Sequence, residues 1–130
     1  MSNKLLISSG SPWEDKVGYS RAVRAGNIVE VSGTTAVDGD KIVGEDNAYE
    51  QSVFIFRKIE RALVEAGATL NNVIRTRMYV TDISKWEEVG KAHHDFFKDI
   101  KPAATMVEVS ALIDAKLLVE IEVTAVITDE

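Results

Sequence analysis

The sequence contains no cysteine and only two prolines, Pro12 and Pro102. Without cysteine the chain cannot form disulfide bonds, thiolate metal sites or a cysteine nucleophile, which fits a reducing compartment. A helix needs about 18 apolar residues to span a bilayer, and no apolar run in the sequence is nearly that long. Leu5–Ile7 is too short for the apolar core of a secretory signal. No low-complexity tract marks a linker. We therefore expect a cytoplasmic protein in which residues 1–130 form one domain.

Positive charge is also scarce. The chain has 15 Lys and Arg against 21 Asp and Glu, a net charge of −6, which disfavours binding to a phosphate backbone. We therefore expect neither nucleic acid nor a membrane as a partner. The densest basic group is interleaved with glutamates, as on a solvated helix face, and we assign it to structure and solubility. Its members are Arg21, Arg24, Arg57, Lys58 and Arg61.

Apolar periodicity and turn residues predict the secondary structure. In order, we expect a strand at Ile28–Gly33, a hairpin at Val37–Val43, a helix from an N-cap at Asp46 to Gly67, a strand at Val73–Val80, a helix capped by Asp82, and strands at Ala104–Ser110 and Leu117–Val126. This order contains two β–helix–β crossovers and ends in an antiparallel pair. It predicts an α+β fold in which one mixed sheet carries two helices on one face.

The sheet face away from the helices has an unusual composition. Alternation in the last strand puts Glu120 and Glu122 on this open face. The apolar residues that alternate with them lie beneath the helices: Leu117, Val119, Ile121, Val123 and Ala125. The same reasoning assigns Val73, Arg75, Arg77, Tyr79, Met106 and Glu108 to the open face, and Ile74, Thr76, Met78 and Val80 to the helix side. A face that mixes charged and apolar residues in this way is typical of a subunit interface.

Few residues have a pattern that predicts chemistry. Glu120 and Glu122 lie about 7 Å apart on one side of a strand, so they could act as acid and base or instead form ion pairs with Arg75 and Arg77. His93 and His94 are adjacent on a helix, about 100° apart, and cannot share a metal ion. No phosphate-binding or dinucleotide motif occurs, so we expect no metal and no cofactor.

Five segments together resemble one family along nearly the whole chain. They are Gly18–Ser20, Val31–Gly33, Tyr79–Ile83, Pro102–Val109 and Val119–Val123. The chain resembles the Rid family, the reactive intermediate deaminases also called the YjgF family. The resemblance implies a chorismate-mutase-like α+β fold, a homotrimer whose sheets form a central barrel, and a small-molecule cleft between subunits. Deaminating members hydrolyse enamines or imines such as 2-aminoacrylate to a keto acid and ammonia.

The resemblance also assigns roles to single residues. Glu120 matches the glutamate that orders the attacking water, and Tyr19 matches the tyrosine of the cleft. Ser32 and Gly33 match the serine and glycine of the first core strand. These four residues are the candidate site that the chain shares with the family.

The chain departs from the family at one decisive position. Ala104 stands where deaminating members have the arginine that grips the substrate carboxylate, and a methyl group cannot form that bidentate contact. We expect Arg77, or failing that Arg75, to fill its place, with Thr105 or backbone amides polarising the substrate. The chain thus resembles an arginine-lacking subgroup that hydrolyses imines, enamines or related reactive metabolites. The alternatives are a non-catalytic metabolite-binding or regulatory trimer and, disfavoured by charge, an endoribonuclease or translation inhibitor.

Overall fold

The computed structural model describes residues 3–128, which build a six-stranded sheet with helices packed on one face. The strands of this sheet are β1 (Lys4–Ile7), β2 (Ala22–Ala25), β3 (Ile28–Thr34), β6 (Val73–Val80), β7 (Ala103–Glu108) and β8 (Val119–Val126). Their order is β1-β2-β3-β8-β6-β7, and a separate hairpin is formed by β4 (Val37–Asp38) and β5 (Lys41–Ile42). Only the β6–β7 pair is parallel. The sheet is therefore mixed and mostly antiparallel, as predicted.

Three α-helices accompany the sheet: α1 (Pro12–Val17), α2 (Ala48–Glu65) and α3 (Trp86–Phe97). Short 3-10 turns at Leu70–Asn72 and Ile83–Lys85 precede β6 and α3. Helix α2 packs on β3 and β8, and α3 packs against α2. Within residues 3–128 no helix has the length and apolarity required to cross a membrane.

The core lies between the sheet and α2. It is built from the inward residues of β3 and β8 and the apolar face of α2, including Val29, Val31, Ile55, Phe56, Ile59, Leu63, Val119, Ile121 and Val123. Each such side chain contributes about 1.5–3 kcal/mol by leaving water. One buried polar residue, Gln51, lies at the edge of this core and is fully hydrogen-bonded. Its amide nitrogen donates to the carbonyls of Gly44 and Lys116, and its oxygen accepts from the Leu118 amide, so α2 is tied to the start of β8.

The two crossovers are confirmed, but the terminal antiparallel pair is wrong. Strands β3 and β6 are connected through α2, and β6 and β7 through α3. The last strand does not pair with β7. Instead β8 lies between β3 and β6 and is antiparallel to both. This placement buries β8 at the centre of the sheet, and it carries Glu120 and Glu122 there.

The predicted faces of β8 are confirmed and those of β6 are confirmed from Arg75 onward. At the start of β6 the register shifts, since Val73 pairs with Ala125 and Arg75 pairs with Thr124. Ile74 is the extra residue of this β-bulge, which places Val73 in the core and leaves Ile74 53% exposed. The assignment of Val73 to the open face and of Ile74 to the helix side was therefore wrong.

The assignment of Met106 and Glu108 to the open face is also wrong. In the parallel register, Met106 pairs with the buried Met78 and Glu108 pairs with the buried Val80. Met106 consequently packs against the core, and the Glu108 carboxylate accepts a hydrogen bond from the Ile83 amide at 2.9 Å. Glu108 stabilises the turn before α3 and takes no part in the open face.

The helix starts differ slightly from the sequence prediction. Helix α2 is capped by Asn47, whose side chain accepts from the Glu50 amide, rather than by Asp46. Asp46 has a φ of 60°, so it forms the preceding turn. Asp82 is confirmed as a cap, since its carboxylate accepts from the Ser84 amide in the 3-10 turn that leads into α3.

Candidate functional site

A cleft of about 760 Å³ opens where β3 and β8 separate, between α1, the β4–β5 hairpin and α2. All four residues that the resemblance assigned to the shared site line it: Tyr19, Ser32, Gly33 and Glu120. Three basic residues that we had assigned to structure and solubility, Arg21, Lys58 and Arg61, line it as well. The cleft therefore contains carboxylates and also cations that the sequence analysis had not placed there.

Gly33 and Glu120 are in direct contact across the two strands. The pairing of β3 with β8 shifts register between Val31 and Thr34, which produces a bulge at this point. A Cβ atom on Gly33 would overlap the Glu120 carboxylate and lie 2.9 Å from its Cδ. Bulges often redirect side chains next to functional sites. Here the bulge and the missing side chain of Gly33 give the carboxylate its place against the backbone.

Glu120 has no partner for its charge among residues 3–128. None of the hydrogen bonds or ion pairs of these residues involves its side chain, although the residue is half-buried. Burial raises the pKa of Glu120 above its ordinary value of 4.5, the negative charge of Glu122 raises it further, and Arg21 partly offsets both. A carboxylate of this kind in a cleft is suited to accept a proton from water.

The ion-pair alternative for the two glutamates holds only for Glu122. Its carboxylate accepts a hydrogen bond of 2.8 Å from the Tyr79 hydroxyl and lies 3.9 Å from Arg77 Nε. The hydrogen bond to Glu122 is the main reason that the pKa of Tyr79 is raised, and burial adds to it. Glu122 is thus held by the neighbouring strand, whereas Glu120, two residues away, is left for a ligand.

Arg21 organises the middle of the cleft. Its Nη1 donates to the Gly33 carbonyl at 2.8 Å and to the Thr34 hydroxyl at 3.0 Å, and its Nη2 donates to the Tyr19 hydroxyl at 3.2 Å. Its Nε lies 3.7 Å from the carboxylate of Glu14 and has no closer acceptor within residues 3–128. The guanidinium is 7% exposed. Arg21 therefore holds the backbone at Gly33 and the ring of Tyr19 in fixed positions.

Glu14, the carboxylate beside Arg21, is also held by hydrogen bonds. Glu14, on α1, is 5% exposed and accepts hydrogen bonds from the hydroxyls of Ser8 and Ser9 and from the Ser9 amide. Burial acts to raise the pKa of Glu14, but these hydrogen bonds and the charge of Arg21 outweigh it and lower the pKa below 4.5. The pair fixes the short helix α1 against β2 and closes one wall of the cleft.

The two hydroxyls of the shared site differ in what they offer a ligand. The Ser32 hydroxyl donates to the Ser20 carbonyl at 2.7 Å, so its proton is already used within the chain. The Tyr19 oxygen accepts from Arg21, and its own proton has no acceptor among the described residues. Tyr19 is therefore the hydroxyl that can donate to a bound molecule.

Lys58 approaches the cleft from α2. Its ammonium donates to the Val37 carbonyl at 3.0 Å and to the Thr35 carbonyl at 3.4 Å. Burial lowers the pKa of Lys58 below 10.5, and the positive charge of Arg21 lowers it further. Within residues 3–128 it forms no ion pair. Lys58 is thus a half-buried cation without a carboxylate partner.

The remaining predicted site residues lie elsewhere in the chain. Ala104 and Thr105 are on β7, at the far edge of the sheet and two strands from β8, about 10 Å away. Arg75 Nη2 donates to the Thr105 hydroxyl at 2.5 Å, and Arg77 lies beside Glu122. Ala104 pairs with the buried Thr76, so it faces the opposite side of the sheet from the two arginines. Whether Arg77 or Arg75 fills the place of an arginine at position 104 stays a prediction.

The histidines do not form a metal site. His93 Nε2 lies 2.9 Å from the Thr76 hydroxyl and its ring packs between Phe56 and Phe97, whereas His94 is exposed. No group of His, Asp and Glu within the part of the chain that the structure describes could hold a metal ion.

Comparison with known proteins identifies the family of the chain. Residues 11–127 match the family described as Endoribonuclease L-PSP. The chain belongs to the YjgF/RutC/Rid family. A RutC family protein of Aquifex aeolicus is 34% identical over 111 residues, which cover 83% of this chain and 87% of that protein. An uncharacterized protein of Streptomyces coelicolor is 41% identical over 119 residues, covering 92% of this chain and 89% of that protein.

The fold is shared with solved members of the family. A Mycobacterium tuberculosis protein described as a YjgF family member superimposes with a TM-score of 0.86 at 52% identity, covering 95% of this chain and 99% of that one. A Yersinia pestis protein described as a Rid family member gives a TM-score of 0.83 at 30% identity and covers 95% and 99% of the two chains. The predicted α+β fold of this family is therefore confirmed.

Proposed function

We propose that this Rid family protein hydrolyses imines, or enamines in their imine form, to a carbonyl compound and ammonia. The observation that carries the proposal is Glu120: it is half-buried, has no partner within residues 3–128, and lines the cleft with a raised pKa. A general base needs access to water and a pKa closer to neutrality than that of an exposed carboxylate. Glu120 meets both requirements.

The reaction needs only water and proton transfers. Glu120 accepts a proton from water as the oxygen adds to the carbon of the protonated C=N bond, giving a neutral carbinolamine. Glu120 returns this proton to the nitrogen, the C–N bond breaks and ammonia leaves. The proton of the hydroxyl group passes to Glu120 as the carbonyl forms. An enamine first takes a proton on its β-carbon to become the imine, and the raised pKa lets Glu120 supply that proton. No metal ion or cofactor is required to balance these steps.

The cleft residues support this role by position. The Tyr19 hydroxyl, oriented by Arg21, is available to donate to the substrate nitrogen or to the oxygen that develops on the reacting carbon. The missing side chain at Gly33 leaves the room that the carboxylate of Glu120 occupies. A held donor favours the transition state because it needs little reorganisation during the reaction.

The functional unit we propose is a homotrimer whose open sheet faces meet in a central barrel. Tyr79, Arg75 and Arg77 are half-buried on this face, and Val107 is 42% exposed, which makes it suited to cover by another copy. In a trimer, β7 of a neighbouring copy would close each cleft and bring Ala104 and Thr105 to it. Because Ala104 cannot bind the carboxylate of 2-aminoacrylate as an arginine would, we expect this substrate to be turned over weakly.

Ammonia release tests the proposal. Imines are generated from a panel of amino acids by an amino-acid oxidase, and release is followed with the purified protein and its Glu120→Gln variant. We expect the protein to accelerate release and the variant to lose at least about 100-fold of that acceleration. The exposed Glu60→Gln variant on α2 is the matched control and keeps full activity. Equal rates for Glu120→Gln and the unmodified protein would contradict the proposal.

Two further readouts separate the alternatives. A mass of three chains in light scattering is expected, and a monomer would contradict the trimer. Binding of 2-oxo acids with no acceleration of imine hydrolysis would identify a metabolite-binding trimer instead. Cleavage of RNA by the unmodified protein but not by Glu120→Gln would favour endoribonuclease activity, the activity in the family description. We expect no cleavage, because the net charge of −6 disfavours RNA binding.

A further inference from the structure

The cleft contains a half-buried cation that forms no ion pair within residues 3–128. Of the basic residues that line the cleft, Arg21 is paired with Glu14, and both protons of its Nη1 are used by Gly33 and Thr34. Arg61 is exposed, so water screens its charge. Lys58 is half-buried on α2, donates hydrogen bonds only to backbone carbonyls and lies 5.8 Å from the centre of the Phe54 ring. It retains one of its three N–H groups for a ligand.

Two carbonyl oxygens accept hydrogen bonds from Lys58 and favour its charged form. An ammonium donates up to three hydrogen bonds and accepts none, and two of these reach the carbonyl of Thr35, before β4, and that of Val37, at its start. A held cation without an ion-pair partner in a half-buried site attracts an anion.

Lys58 and Glu120 both line the cleft, and neither is among the charges that shift the pKa of the other. The charges that act on Glu120 are those of Glu122 and Arg21. The charges that act on Lys58 come from Arg21 and Arg61, which lower its pKa, and from Asp38 and Glu14, which raise it. Arg21 is thus the charged group that acts on both residues.

We propose that Lys58 binds a carboxylate of the ligand that is several bonds away from the carbon reacting beside Glu120. This inference rests on the proposed function for its reaction, and it names the substrate class as imines of dicarboxylic 2-oxo acids.

The test compares two open-chain product analogues in equilibrium binding by calorimetry. These are 2-oxoglutarate, which carries a carboxylate at the distal end, and its distal N,N-dimethylamide, which is neutral there and cannot cyclise onto the keto group. We expect the protein to bind 2-oxoglutarate about tenfold more tightly, as for a hydrogen bond to a charged group. Equal affinities for the two compounds would overturn the proposal.

Variants identify the residue responsible. Lys58→Met removes the charge and is expected to abolish the preference, whereas Lys58→Arg keeps it. Arg57→Met, at the exposed neighbouring position on α2, is the matched control and also keeps it. A preference that persists in Lys58→Met would overturn the assignment. Should Lys58→Met fold poorly because the loop carbonyls lose their donor, the unmodified protein still decides: its preference must vanish as pH rises through the lowered pKa of Lys58.

Failure of this proposal is distinguishable from failure of the proposed function. Binding is measured without turnover, so a distal-carboxylate preference in a protein that releases no ammonia would leave Lys58 as an anion-binding residue of a metabolite-binding cleft. Hydrolysis that depends on Glu120 but shows no preference between distal carboxylate and amide would support the reaction and remove the role of Lys58.

Discussion

The Glu120 carboxylate rests against the backbone of Gly33 so closely that a Cβ atom at position 33 would be 2.9 Å from Glu120 Cδ. Contacts this short are essentially never made by real Cβ atoms, so one of the two groups would have to move. The position of the proposed catalytic base therefore depends on a residue that contributes no side chain.

Gly33→Ala is expected to destabilise the protein by about 1–3 kcal/mol, the usual cost of overpacking. The same substitution in a Glu120→Ala background is expected to cost much less, because the group it would meet is gone. Denaturant unfolding of the four proteins of this double-mutant cycle measures the coupling. Additive effects would show that the contact with Glu120 is not what excludes a side chain at position 33.

The raised pKa of Glu120 predicts an unusual titration. Its carboxyl group should lose its proton at a pH above 4.5, and Glu122→Gln should lower that midpoint because one of its causes is the negative charge of Glu122. Carboxyl-carbon NMR of labelled protein reports both values without any activity assay. In imine hydrolysis, the rate should fall as pH decreases through the same midpoint. A midpoint unchanged by Glu122→Gln would contradict the assigned cause.

Loss of Arg21 should be costly because it leaves a buried carboxylate. Arg21→Met is expected to destabilise the protein by about 3 kcal/mol, since Glu14 then has no cation. Adding Glu14→Gln should recover part of that loss. Thermal or denaturant unfolding of the single and double variants tests this. If the double variant were less stable than Arg21→Met alone, charge compensation would not be the main role of the pair.

His93 predicts a stability change between neutral and acidic pH. Burial lowers the pKa of His93 below 6.5, so the unfolded chain binds a proton more readily than the folded one. Stability should therefore be full above about pH 6.5 and decline as pH falls through the unfolded value towards the folded one. His93→Gln should weaken this dependence, whereas His94→Gln, at the exposed neighbour, should leave it intact. Identical pH profiles for the two variants would refute the role of His93.

The sequence predicted those elements whose apolar residues alternate or recur at helical spacing. Residues 73–80 form the strand expected from their β-branched and alternating residues, and α2 follows its apolar stripe. The first part of the chain was missed although Ser11, Pro12 and Gly18 are the cap and first-turn residues of α1. Strands β1 and β2 have four residues each, too few for alternation to stand out. The insertion of β8 between β3 and β6 is a long-range pairing that no local pattern encodes.

Some residues of the candidate site could be predicted from the sequence and others only from the structure. The resemblance found Tyr19, Ser32, Gly33 and Glu120, all of which line the cleft. It could not find Lys58, because adjacent basic residues on a helix look alike in sequence, and only the fold shows that Arg57 faces solvent while its neighbour faces the cleft. The roles of Ala104, Thr105, Arg75 and Arg77, the single domain and the cytoplasmic location stay predictions.

The bulge at the start of β6 bears on how this family tolerates changes in chain length. Because Ile74 is the one unpaired residue between Val73 and Arg75, a strand lacking it would still direct Val73 inward and Arg75 outward. Removing one residue between Thr76 and Tyr79 would reverse every side chain beyond the deletion. Position 74 is therefore the place in this strand where a deletion leaves both the core and the charged face intact.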